Sequence, residues 1–334
     1  MTMGGYTGPP ALTLTRAFSA WTVSVTALLF IAIAGGTYLW AVAAVRRSGR
    51  TWPVGRTLCF VGLGLGSFAV ATMSFLGAYA HVLFWVYATQ LVTLLMVTPA
   101  LLALGAPMTL AEAVLAPPLA TRLASWPETR HGRVLTYPVV GTLLIAAVPF
   151  VVYFTHTFEF LMRHRVAYEL GQLIFVAIGF LFFWPLLSSD RHVRRWSWPV
   201  ATLVVFVETL FDSVPGIAIW LSTRLIAPTY FAEVARPWGR SAISDQKFGG
   251  VMLWAVGEVV GVPLIIAMAV QWMRADEREA GVIDRELDNA SNRIPESLET
   301  PDQEGGQIAE PTLDRPWWET DPERLRRSRK FDWE

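Results

Sequence analysis

The chain has 334 residues, of which 53% are hydrophobic and only 16% are charged, and its formal net charge is zero. Soluble domains carry roughly 25% charged residues, so this composition excludes an ordinary soluble globular protein. Residues 57–111 contain no Asp, Glu, Lys or Arg, and the mean hydropathy of the chain is +0.42. The sequence therefore predicts an all-α, polytopic membrane protein whose surroundings are a lipid bilayer.

Seven apolar runs are long enough to cross a bilayer as helices. In chain order they cover residues 17–45, 57–78, 82–104, 134–155, 168–187, 196–223 and 249–272. A surface helix is expected over 109–125, and Pro99, Pro138 and Pro149 are expected to break or kink their helices. The pairs Gly62/Gly66 and Gly257/Gly261 predict close approach between helices. The predicted fold is a seven-transmembrane-helix bundle.

Basic residues set the expected orientation of this bundle. The loops at 46–56 and 190–195 are rich in arginine, and the positive-inside rule places such loops in the cytoplasm. This arrangement puts the N-terminus outside and the C-terminus inside. Residues 1–275 are then the transmembrane domain, and the charged residues 276–334 are predicted to form a largely disordered cytoplasmic tail.

The sequence also excludes several kinds of chemistry. The single cysteine, Cys59, cannot build a disulfide framework or a CxxC motif within one chain. No nucleotide-binding loop, HExxH or GxSxG motif is present, and the five histidines are too scattered for a zinc signature. We expect a protein that is not an enzyme and does not bind nucleic acid.

Two carboxylates near the middle of the sixth run mark the candidate site. Glu208 and Asp212 are four residues apart, which places them on one helix face. An ionised acid at the centre of a membrane helix costs roughly 2.5–3.5 kcal/mol on insertion scales, so both should face a protein interior. Like charges at this spacing favour protonation of at least one of them.

Further polar residues at membrane depth are grouped with this pair in one predicted polar interior. The full set is Tyr87, Gln90, Tyr168, Gln172, Glu208, Asp212 and Glu258. A polar packing contact and a metal, haem or proton site between helices are both open interpretations of this set. His81 and His156, near the outer helix ends, are weak candidates for metal ligands. A lone histidine there is more often an interfacial hydrogen-bonding residue.

Several segments resemble CtaG-like cytochrome c oxidase assembly proteins, in the high-GC Gram-positive form that is often fused to a CopD-like copper domain. The segments are MVTPALLALGAPMTLA (96–111), VYFTHTFEFLMR (152–163), GFLFFWPLL (179–187), RPWGRSAISDQKFGG (236–250) and WAVGEV…AVQWMRADEREA (254–280). The similarity covers about 76–285, in order. It implies a seven-helix membrane bundle and copper handling during assembly of the oxidase's copper centre.

The chain departs from the family pattern where that pattern carries histidines. Tyr87 and Leu91 stand at the histidine positions of an HMxQH motif, in which Gln90 is kept. The fifth helix of the family usually has two or three histidines, where this chain has Tyr168, Gln172 and Ile174, and Asp212 aligns with a histidine of the sixth. Imidazole suits copper, whereas phenol, amide and carboxylate groups suit it poorly. Three other residues, Asp245, Gln246 and Glu258, match the family.

The resemblance implies a multi-pass plasma-membrane protein of cytochrome c oxidase biogenesis with an altered or lost metal site. Copper is the cofactor that the family suggests, and oxidase subunits or another membrane complex are the expected partners. Two alternatives stand beside this interpretation. One is a non-catalytic structural subunit or scaffold of a membrane complex, and the other is a cation or proton conduit that uses Glu208, Asp212 and Glu258.

Overall fold

The computed structural model describes residues 6–187 and 198–291. Within these ranges the chain forms helices and connecting turns and no strand, so the prediction of an all-α protein is confirmed for this part. The helices are α1 Leu14–Ser19, α2 Val25–Arg47, α3 Val54–Tyr79, α4 Phe84–Leu104, α5 Pro107–Val114, α6 Pro117–Ser125, α7 Arg130–Leu135, α8 Pro138–Phe154, α9 Thr157–Arg163, α10 Arg165–Leu187, α11 Trp198–Leu221, α12 Pro228–Val234 and α13 Ala242–Ser291.

Six helices in the described ranges are long and apolar enough to cross a membrane: α2, α3, α4, α10, α11 and α13. The pair α8 and α9 is apolar enough when taken together, but it is bent by 74° between the two helices. The number of spans is therefore six, or seven if the bent pair is one broken span.

Helix α4 lies at the centre of the packing. In its apolar window 72% of the residues are buried, compared with 44% or less in the other spanning helices. Helix α3 approaches it at Gly64, where a Cβ atom would lie 2.7 Å from Leu102 Cδ2. Helix α10 approaches it at Gly179, where a Cβ atom would overlap the Leu95 carbonyl. Polar side chains on α4 are therefore enclosed by protein.

Pro99 does not break α4, contrary to the prediction. A π-helical turn, Thr93–Val97, comes directly before it, and Thr98–Leu104 continues as α-helix. Proline has no N–H to donate to the carbonyl four residues earlier, and a π-helical turn is one of the ways in which a helix absorbs such an irregularity. The helix ends where expected, at the Gly105–Pro107 segment.

The first predicted helix, 17–45, is divided into α1 and α2. Ser24 caps α2, because its hydroxyl accepts the N–H of Ala27 at 3.2 Å. Thr22 in the connection donates its N–H to the carbonyl of Met73 at 2.7 Å. The backbone between α1 and α2 is thus bonded to α3 instead of continuing a helix.

Two other predicted details are wrong. The expected surface helix 109–125 is two helices, because Pro117 begins a new helix, α6. Pro138 starts α8 at its first position instead of kinking it. The segments between the predicted spans also contain helices: α9 lies between the fourth and fifth runs, and α12 lies between the sixth and seventh.

Helix α13 begins seven residues before the predicted 249 and continues to Ser291, past the predicted 272 and past the expected domain boundary at 276. Residues 292–334, where most of the expected disordered tail falls, lie outside the described residues.

The two predicted glycine pairs differ from each other in their surroundings. A Cβ atom at Gly66 meets open space, and one at Gly62 meets only Leu58 of its own helix, whereas Gly257 and Gly261 lie against side chains of α11.

The orientation remains a prediction, and labelling tests it. In a Cys59→Ser background, single cysteines at Ser48, which follows α2, and at His156, between α8 and α9, should react with membrane-impermeant reagent from opposite sides of the membrane. The reason is that the arginine-rich 46–56 loop is expected in the cytoplasm. Reaction of both cysteines from one side would contradict the predicted topology.

Candidate functional site

A hydrogen-bonded chain at one end of α4 joins three helices. The Tyr168 hydroxyl of α10 donates to Gln90 Oε1 of α4 at 2.6 Å, and Gln90 Nε2 donates to the Ala71 carbonyl of α3 at 2.7 Å. Gln172, one turn after Tyr168, is also buried. Gln90 is 1% exposed. The amide thus has one donor and one acceptor bond in a place where unpaired polar atoms are costly.

Tyr87 lies beside this chain but belongs to a cluster of aromatic rings. Its ring centroid is 5.2 Å from that of Phe158, 6.2 Å from that of Tyr153 and 6.3 Å from that of Tyr168. The buried hydroxyls of Tyr87 and Tyr153 have no hydrogen-bond partner among the described residues. Sequence reasoning missed Tyr153, because a single tyrosine near the end of an apolar helix gives no signal.

The acidic residues form a second group, between α11 and α13. Glu258 Oε1 accepts hydrogen bonds from Trp254 Nε1 at 3.1 Å and from Ser213 Oγ at 3.3 Å. Asp212 lies against Gly257, and a Cβ atom at Gly257 would be 3.8 Å from Met96 Sδ of α4. Six residues separate Gln90 from Met96, which is about 9 Å along a helix. The predicted single polar interior is therefore two groups at different depths.

Asp245 and Gln246, two residues that match the family, hold helices and loops together near the start of α4. Asp245 Oδ2 accepts the N–H of Phe84 at 2.7 Å and lies 3.5 Å from Nη2 of Arg236. Gln246 Oε1 accepts the N–H of Ile226 at 2.6 Å, and its Nε2 donates to the Arg224 carbonyl at 2.9 Å. Asp245 thus caps α4 from α13, and Gln246 fixes the segment before α12.

An ion-pair network joins α9 to α12, and no motif in the sequence predicts it. Arg163 makes two hydrogen bonds of 2.9 Å to the carboxylate of Glu233, and Thr229 donates to Glu159 at 2.9 Å. The Arg163 guanidinium holds the pKa of the Glu233 carboxyl below its usual range. The Tyr230 hydroxyl donates to the His81 carbonyl at 2.7 Å, so α12 also fastens the turn between α3 and α4.

The two candidate histidines stand in different surroundings. The His81 ring lies 4.5 Å from the Tyr168 ring, and burial, assisted by the charge of Arg165, lowers the pKa of His81. His156 is exposed before α9. Among the described residues no three His, Cys, Asp or Glu side chains are arranged to hold a metal ion.

The His81 environment predicts a pH dependence of stability. Since its folded pKa is below the unfolded value of about 6.5, the unfolded chain binds more protons as the pH falls below that value. The stability contribution of neutral His81 is complete above about pH 6.5 and is lost at lower pH. Thermal unfolding in detergent between pH 7.5 and 5 should show a smaller loss in His81→Gln than in the wild type. The exposed-site control His156→Gln should behave as the wild type, and an unchanged pH dependence in His81→Gln would refute the assignment.

The long apolar helices and their buried polar links are those of a multi-pass helical membrane protein. Over residues 36–275 the chain matches the family described as cytochrome c oxidase caa3 assembly factor (Caa3_CtaG), and it belongs to that family. The resemblance noted in the sequence is thereby confirmed.

Curated relatives come from mycobacteria. Uncharacterized proteins of Mycobacterium bovis and Mycobacterium tuberculosis are each 32% identical over 295 residues, and one of Mycobacterium leprae is 30% identical over 294 residues. Each match covers 85% of this chain but 44% of the relative, so the chain spans less than half the length of these proteins. No solved structure matches the chain.

The residues that stand in place of the family's histidines are poor ligands for copper. The Tyr168 hydroxyl donates to Gln90, the residue of the motif that this chain keeps, and Leu91 has no atom that can bind a metal. Phenol, amide and carboxylate oxygens are hard ligands, whereas copper prefers imidazole, thiolate and thioether groups. Among these residues Tyr168 and Gln172 are buried, Ile174 is exposed, and the Tyr168 hydroxyl joins α10 to α4 through Gln90.

Proposed function

We propose that this protein serves the biogenesis of a cytochrome c oxidase at the plasma membrane as a non-catalytic helical protein, without copper at the altered family positions. Membership of the assembly-factor family supports the oxidase role. The absence of copper at these positions is supported by the hydrogen-bonded chain Tyr168–Gln90–Ala71. In this chain the Tyr168 hydroxyl and the Gln90 amide bond to each other.

The proposed role follows from what this chain of hydrogen bonds does. It joins α3, α4 and α10 near the end of α4 that Asp245 caps and α12 covers through Tyr230. A rigid, satisfied polar link of this kind specifies one arrangement of helices. We infer that this arrangement presents a fixed surface to oxidase subunits in the membrane, and that the altered residues preserve the surface without a metal.

Complementation of a deletion strain tests the oxidase role. Loss of the gene should lower assembled oxidase, measured as cytochrome c oxidation and as haem a absorbance in membranes, and the wild-type gene should restore both. Tyr168→Phe, which removes the hydroxyl donor to Gln90, should restore them only in part. The exposed Thr121→Val should restore them fully. Normal oxidase in the deletion strain would refute the proposal, and copurification with a different complex would replace it with the scaffold alternative.

Metal analysis tests the absence of copper separately. The protein purified in mild detergent should contain copper well below one equivalent. Asp212→His should not change this, because one imidazole beside Tyr87, Tyr168 and Gln172 does not make a copper site. One equivalent of copper in the wild type that is lost in Tyr168→Phe would overturn the proposal for these positions.

A further inference from the structure

Three carboxyl groups on α11 and α13, within the spanning part of the chain, interact with one another electrostatically. Glu208 is 1% exposed and Asp212 is 5% exposed, and both interact electrostatically with Glu258. Asp212 is in contact with the backbone of α13 at Gly257, beside Met96 of α4. The buried Asp212 carboxyl thus lies against α13 and close to α4.

Glu208 has an oxygen that nothing in the described fold satisfies. Its Oε1 atom is buried without a hydrogen-bond partner among the described residues, whereas Glu258 Oε1 accepts bonds from Trp254 and Ser213. A buried carboxylate oxygen without a protein donor is strongly unfavourable when ionised. A bound cation or a proton at Glu208 would remove this cost.

The helices around the cluster supply no counter-charge. Residues 84–104 of α4 and 138–154 of α8 contain no Asp, Glu, Lys, Arg or His, and their titratable groups are Tyr87 and Tyr153. Within 202–221 of α11 the charged residues are Glu208 and Asp212 themselves. On α13 Lys247 is eleven residues before Glu258, or about 16 Å along the helix. Protein cations on these helices therefore do not neutralise the three carboxyl groups.

The geometry favours a proton over a metal ion. In the described ranges no three His, Cys, Asp or Glu side chains are placed to hold one metal, whereas a proton needs only one carboxyl oxygen or a pair. We propose that Glu208, Asp212 and Glu258 form a proton-binding site in the membrane, with Glu258 as the group through which protons exchange with water.

Glu258 suits this exchange because it is the least buried of the three carboxyl groups, and its Oε1 atom already accepts hydrogen bonds from Trp254 and Ser213. Each step moves one proton from water to a carboxylate oxygen, or back, and requires no other reactant. The site does not depend on the oxidase role, so either proposal can fail without the other.

Infrared spectroscopy of the detergent-solubilised full chain tests the site. At pH 7 the wild type should show a C=O stretching band of protonated carboxyl groups that shifts in D₂O. Glu208→Gln and Asp212→Asn should each remove part or all of that band. Glu258→Gln should slow its exchange in D₂O, and Asp276→Asn, an exposed change on α13, should leave both the band and its exchange unchanged.

The result that overturns the proposal is equally specific. A wild-type spectrum at pH 7 without this band, or a band that all three variants leave intact, refutes protonation of the cluster. An equivalent of Na⁺, Mg²⁺ or copper that is bound by the wild type and lost in Asp212→Asn would replace the proton by a metal ion. If Glu208→Gln fails to fold, two results still test the proposal. They are the presence of the band in the wild type and the rate of its D₂O exchange in Glu258→Gln.

Discussion

Asp245→Ala is expected to destabilise the bundle by about 3–5 kcal/mol, the cost of breaking a buried ion pair by removing one partner. The side chains of Asp245 and Arg236 are 3% and 8% exposed, and their charged atoms lie 3.5 Å apart. Asp245 also accepts the N–H of Phe84 at the start of α4. The substitution would leave a buried guanidinium and a buried helix-terminal N–H without this acceptor. Equilibrium unfolding in mixed detergent micelles measures the loss.

Two comparison variants separate the charge from the cap. Asp245→Asn keeps an oxygen that can accept the Phe84 N–H, so it should lose less stability than Asp245→Ala. Glu233→Ala removes the exposed partner of Arg163, and solvent-exposed ion pairs contribute little. A large loss in Glu233→Ala with none in Asp245→Ala would show that the α9–α12 network, and not the Asp245 cap, fixes this end of the fold.

The spanning helices could be predicted from the sequence because a bilayer demands long apolar runs, and α4, α10 and α11 lie close to the expected ranges. The short helices α9 and α12 could not. They are held by contacts between residues far apart in the chain, such as Arg163 with Glu233, and no local pattern reports these contacts. The start of α13 was missed for a related reason. From the sequence alone Asp245 is expected in a loop, because its bond to the N–H of Phe84 is a contact between distant residues.

The polar residues at membrane depth could be named from the sequence, but their division into two groups could not be predicted. Charge inside an apolar run identifies Glu208, Asp212 and Glu258 directly. Whether these residues meet Tyr87 and Gln90 depends on the depth at which α11 and α13 cross α4, and the sequence contains no measure of depth between helices. The bond from Tyr168 to Gln90 joins residues 78 positions apart, and either residue alone gives a weak signal.

Gly179→Ala is expected to destabilise the protein by about 1–3 kcal/mol or more, as overpacking does in a close-packed interior. The added Cβ atom would overlap the Leu95 carbonyl oxygen and contact Pro99 on α4. The backbone can yield little there. Pro99 has no N–H for the Leu95 carbonyl, and the π-helical turn before it already departs from α-helix. Separation of α10 from α4 is the remaining way to relieve the overlap, so the Tyr168–Gln90 bond should also weaken.

Gly66→Ala is the matched control, because a Cβ atom there meets open space within a helix. It should leave stability unchanged or raise it by about 0.5–1 kcal/mol, since alanine is the better helix former. If Gly179→Ala unfolds at the same detergent composition as Gly66→Ala, the close crossing of α4 and α10 is incorrect. If Gly179→Ala alone is less stable and also lowers oxidase in the complementation assay, then the packing of α10 on α4 and the Tyr168–Gln90 link act as one unit. Their effects should then be less than additive in the double variant with Tyr168→Phe.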